Sequence, residues 1–109
     1  MSELKRRRAL FTRLVVLLLT KMIAEGYTPL IGRDGLKHMP NSLHFDGLAI
    51  DIDLFKPDGT YCDKTEDHKQ FGDYWESLHE LTFWGGNGIK EDGLKYDGNH
   101  YSITMGGRK

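Results

Sequence analysis

Leu48-Ala49-Ile50-Asp51-Ile52-Asp53-Leu54-Phe55 is the stretch that decides the fold. Leu48, Ile50, Ile52 and Leu54 fall on one side, and Ala49, Asp51 and Asp53 on the other. Successive strand side chains point to opposite faces, so this alternation predicts a half-buried strand. Its apolar side should meet a core, which turns Asp51 toward a cleft. Lys56-Pro57-Asp58-Gly59 then reads as a turn. Upstream, Leu10, Leu14, Leu17, Leu18 and Met22 recur at helical spacing and predict a helix over 3–25, stopped by Gly26. Residues 27–31 form a short strand, placed at a sheet edge by Pro29. Residues 32–41 are loop. A second helix over 66–80 carries Phe71, Trp75 and Leu78 on one face, although Gly72 lowers its propensity. Trp84-Gly85-Gly86 opens a tight loop. A last strand over 100–105 sets Tyr101, Ile103 and Met105 against His100, Ser102 and Thr104.

The chain of 109 residues has the size of one small domain, 1–109, with one modest core. Its 39% hydrophobic content suits a globular domain. Lys plus Arg is 15 and Asp plus Glu is 16, giving a net charge of -1. No field of one sign favours nucleic acid. The basic run Lys5-Arg6-Arg7-Arg8 reads as a solvated helix face. The run Leu14-Val15-Val16-Leu17-Leu18-Leu19 ends at Thr20 and Lys21. It is far short of the roughly 20 apolar residues of a membrane span, and no small-residue cleavage site follows closely. A buried amphipathic helix is the expectation. Cys62 is the single cysteine, so no intrachain disulfide forms, and a free thiol suits a reducing compartment at synthesis.

Chemistry concentrates in two places. His44 precedes the strand that carries Asp51, and Asp97-Gly98-Asn99-His100 lies near the C-terminus. Two imidazoles and a carboxylate, His44, His100 and Asp51, are a sufficient donor set for zinc with one position left open to water. Pairing of 49–53 with 100–104 would set these side chains over one face. Asp97, three residues before His100, is then placed to serve as general base without being a ligand. That set suits hydrolysis of an amide without a protein nucleophile. Asp53, on the face of Asp51, is either a support for a ligand or solvated. His38, His68 and His79 have no ligand-like spacing, and Trp75 and Trp84 read as core or cleft wall.

The motifs Ser42-Leu43-His44 with Gly47, Ala49 and Asp51, then Asp97-Gly98-Asn99-His100-Tyr101, resemble the M15 family of zinc peptidases. These are the D-alanyl-D-alanine carboxypeptidases and the bacteriophage L-alanyl-D-glutamate endopeptidases. Trp75-Glu76 and Trp84-Gly85-Gly86 are similar to the segment before the final motif in phage members. The resemblance runs from about Gly26 to Thr104. It implies an α+β domain of the Hedgehog/D-Ala-D-Ala peptidase type, with a central antiparallel sheet and packed helices. It implies zinc held by His44, Asp51 and His100, with Asp97 as the base. It further implies substrate contacts from Ser42 and from Arg33, where Asp34-Gly35-Leu36-Lys37-His38 replaces the usual segment after the arginine. Ser102 and Thr104 stand where many members carry a glutamate.

The implied substrate is the peptidoglycan stem peptide, and the phage-like segment favours L-alanyl-D-glutamate cleavage by an endolysin-like enzyme. A D-alanyl-D-alanine carboxypeptidase is the alternative. So is a noncatalytic, metal-stabilised phage structural or wall-binding protein, and a metal nuclease is a more distant one. The expectations include no nucleic-acid partner, no stable membrane insertion and a monomer. Synthesis in a host cytoplasm would precede action on the cell wall, in a lysis or a virion-associated role.

Overall fold

The computed structural model describes residues 1–32, 43, 46–87 and 98–107. Helix α1 is Glu3–Ala24. The Ser2 side chain caps it, accepting from the Lys5 amide at 3.1 Å. It ends as a Schellman turn, in which the Gly26 amide donates to Ile23 O and the Tyr27 amide to Met22 O, both at 3.0 Å. Strand β1, Thr28–Ile31, follows at once. Strand β2 is Ala49–Phe55. A 3-10 turn over Thr65–His68 leads into α2, Lys69–Leu78. Strand β3 is Thr82–Trp84, and β4 is His100–Ile103. Among the described residues these strands form one antiparallel sheet in the order β1-β2-β4-β3. The architecture is α+β, with Pro29-bearing β1 at the edge as expected.

Leu48, Ile52 and Leu54 are fully buried, and Ile50 nearly so, as the alternation requires. They meet Phe11, Leu14, Leu18 and Met22 of α1 and Phe71 and Trp75 of α2. Each such side chain contributes about 1.5–3 kcal/mol by leaving water. Trp75 is the hub. Its ring meets Phe11 and Tyr101 edge-on, and its indole N–H donates to Phe83 O and Ser102 O at 3.2 and 3.0 Å. One bond ties α2 to β3 and the other to β4.

Three expectations change. Leu17 is exposed, and Phe11 takes its place in the stripe, because 11, 14, 18 and 22 hold a single line on the helix while 17 sits off it. The second helix is split, with 3-10 geometry before Lys69, and it ends at Leu78. Trp84 closes a strand before the Gly85–Asn87 3-10 turn. Three residues are too few to show alternation, so β3 leaves no periodic signal.

The basic run is more than a solvated face. Arg7 donates from Nη1 to Thr104 O at 2.6 Å, fastening α1 to the end of β4. Arg6 and Arg7 both reach Glu3. No helix among the described residues is long and apolar enough to cross a membrane.

Candidate metal centre

Asp51 and His100 are directly opposite each other in the β2–β4 ladder. Cross-strand partners share a face, so both side chains stand on the side of the sheet away from the helices. His100 Nδ1 and Asp51 Oδ1 are 3.7 Å apart, with side chains 12% and 28% exposed. That gap is too long for a hydrogen bond. Donor atoms sharing one tetrahedral zinc stand roughly 3.3–3.6 Å apart, given ligand distances of 2.0–2.2 Å. A carboxylate and an imidazole at this spacing, partly open to solvent, therefore fit a shared cation.

The backbone leading into His100 is held on three sides. Gly98 O accepts from the Trp84 indole N–H at 2.7 Å. A Cβ on Gly98 would come within 2.7 Å of Thr65 Cα, so the turn lies flush against that segment. Asn99 O accepts from the Ile52 amide at 2.9 Å. Trp84 is fixed in turn by Glu76, whose carboxylate accepts from the Trp84 amide at 3.0 Å and from Asn87 Nδ2 at 2.6 Å. The Trp75-Glu76 and Trp84-Gly85-Gly86 pieces thus form one bracket behind the turn. Phe83 adds an edge-on ring contact to His100, with centroids 6.5 Å apart. Nothing in the spacing of Phe83, Trp84 or Glu76 marks them as supports. The clue was two aromatics beside paired glycines.

Four expected site residues, Arg33, Ser42, His44 and Asp97, lie outside the described residues. Their chain neighbours are placed. Leu43 is buried and its carbonyl accepts from the Leu48 amide at 2.8 Å, while Gly47 turns at φ 75°. Among the described residues no group of three His, Cys, Asp or Glu side chains converges.

Burial, then the charge of nearby Asp53, push the Tyr61 phenol upward in pKa. Cys62 is buried, which pushes its thiol up and keeps it protonated, away from nucleophilic chemistry.

His68, given no role on spacing, is 2% exposed and shares a hydrogen bond of 2.9 Å with Tyr101, the residue after His100. Burial lowers the His68 pKa below its ordinary 6.5, against weaker opposite pulls from Asp67 and Asp53. Burial likewise raises that of Tyr101. Below about pH 6.5 the unfolded chain then takes up a proton at His68 more readily than the folded one, so stability rises with pH in that window. The melting temperature should fall as pH drops from about 7.5 to about 5. His68→Gln should flatten the slope; equal slopes in the two proteins would remove His68 as its source.

No protein-family model and no curated protein matches the chain.

Proposed function

We propose that this chain is a zinc-dependent peptidase of peptidoglycan stem peptides, with L-alanyl-D-glutamate endopeptidase as the first reading and D-alanyl-D-alanine carboxypeptidase as the alternative. The observation that carries it is the Asp51–His100 pair, in register on one open face and spaced for a common cation. It gains support from the M15-like motifs in which the pair sits. His44, Asp51 and His100 would hold the metal. Bound there, zinc supplies Lewis acidity and a water whose pKa is drawn down toward about 7. Asp97 would serve as the general base, its carboxylate accepting a proton from the attacking water and passing it to the leaving nitrogen. Ser42 and Arg33 orient the peptide, the guanidinium on a substrate carboxylate. The bracket of Trp84, Glu76 and Thr65 keeps the His100 backbone from drifting, which matters because small misplacements are costly in rate.

The purified protein should carry one zinc per chain by elemental analysis, and Asp51→Ala should lose it while keeping its circular dichroism. Digestion of purified sacculi, followed by mass spectrometry, should release new L-Ala and D-Glu termini. Loss of terminal D-Ala alone would select the carboxypeptidase. New reducing sugar ends with intact stem peptides would refute both.

A further inference from the structure

Helix α1 buries one side and leaves the other in solvent. Phe11, Leu14, Leu18 and Met22 meet the core. On the opposite side, at 3.6 residues per turn, fall Ala9, Val16, Thr20 and Ile23, all exposed. Val16 and Ile23 are 57% and 62% exposed. Lys5 and Arg13 share this outward face, and neither forms an ion pair among the described residues. The other cations of the helix have neighbours: Arg6 and Arg7 reach Glu3, Arg8 runs along Gly47, and Lys21 stands over the Tyr74 ring.

Charge is unevenly shared along the chain. Residues 1–25 hold six of the 15 basic and two of the 16 acidic residues, so a chain of net charge -1 carries a helix of net +4. Neither acid, Glu3 or Glu25, falls on the outward line. The hydroxyls of that face are satisfied without water. Thr12 and Thr20 donate back to the Arg8 and Val16 carbonyls at 3.0 and 2.7 Å. A hydroxyl bonded to its own helix enters an apolar medium without losing a partner.

These features select the partner. An anionic polymer would use the cations and leave Val16 and Ile23 idle. A second copy would bring a helix of the same positive charge. An anionic lipid surface uses both, with headgroup phosphates at Lys5 and Arg13 and the acyl boundary at Val16 and Ile23. We propose that the outward face of α1 docks the domain on an anionic lipid bilayer. The buried side stays on the core, so α1 lies along the surface and does not cross it. The sheet stands between α1 and the face of Asp51 and His100, which the docked domain therefore turns away from the lipid. The proposal is independent of the peptidase reading.

The test is cosedimentation of the full chain with vesicles of phosphatidylcholine, alone or mixed equally with phosphatidylglycerol. The mixed vesicles should bind at least ~10-fold more tightly, as two cations near an anionic leaflet warrant. Binding should weaken in 1 M salt, where the Debye length is about 3 Å. Lys5→Gln with Arg13→Gln should remove the preference for the mixed vesicles. Val16→Ser with Ile23→Ser should weaken binding at least ~10-fold through lost apolar burial, with an unchanged circular dichroism spectrum. No binding, or equal binding to both vesicles, overturns the proposal. Binding that survives the serine changes but not the glutamine ones also overturns it, and points to an anionic polymer. So does self-association in sedimentation velocity that the serine changes abolish, in a protein that ignores vesicles.

Discussion

Asp97→Asn should reduce turnover of stem peptides by at least ~10²-fold, the lower end expected for a positioned acid–base group. Asparagine keeps the size and the hydrogen-bonding reach of the side chain but cannot take a proton at neutral pH. Zinc content and melting temperature should not change, because the change spares all three expected ligands. The residue that follows, Gly98, is pinned by the Trp84 indole and by Thr65, so the backbone on that side has little room to adapt. Comparison of kcat, zinc stoichiometry and thermal melts decides the matter. Full activity in the variant would remove Asp97 as the base and favour a metal-stabilised structural protein.

The second large effect concerns stability. Gly72 lies in α2 with the Trp84 indole directly over its Cα, and a Cβ there would overlap the ring. Gly86 sits against the same indole and also has no room for a Cβ. Trp84 cannot retreat without giving up its bonds to Gly98 O and to Glu76. Gly72→Ala should therefore destabilise the domain by about 1–3 kcal/mol, as overpacking does, despite the better helix propensity of alanine. For a domain of this size that corresponds to a melting temperature lower by roughly 4–20 °C. Zinc affinity should fall as well, since the displaced ring is the support of the turn before His100. An unchanged melting temperature would show that the indole yields at little cost.

Gly72 also illustrates how far the sequence could be read. As a propensity it counted against a helix; as a contact it is what lets α2 and β3 approach. Propensity belongs to one residue, whereas the contact depends on Trp84, twelve positions away. The strand at Ala49–Phe55 was legible because each of its side chains faces either the core or the cleft, which stamps a period of two on the chain. The same alternation in His100–Ile103 made the β2–β4 pairing inferable, and with it the meeting of Asp51 and His100. Leu17 was misassigned because a leucine run gives a helix several equivalent apolar lines until a partner surface selects one.

The strand order β1-β2-β4-β3 also sets a timetable. Synthesis proceeds from the N-terminus, so β2 and β3 both emerge before the strand that must slot between them. Until β4 arrives, each presents an open edge, and Asp51 waits without the imidazole opposite it. Non-local closures of this kind come late, because a long loop must be ordered before any contact rewards it. The face that carries Asp51 and His100 is thus the last part of the nascent protein to be assembled, and a chain stalled before His100 would hold one half of that pair and two unprotected strand edges.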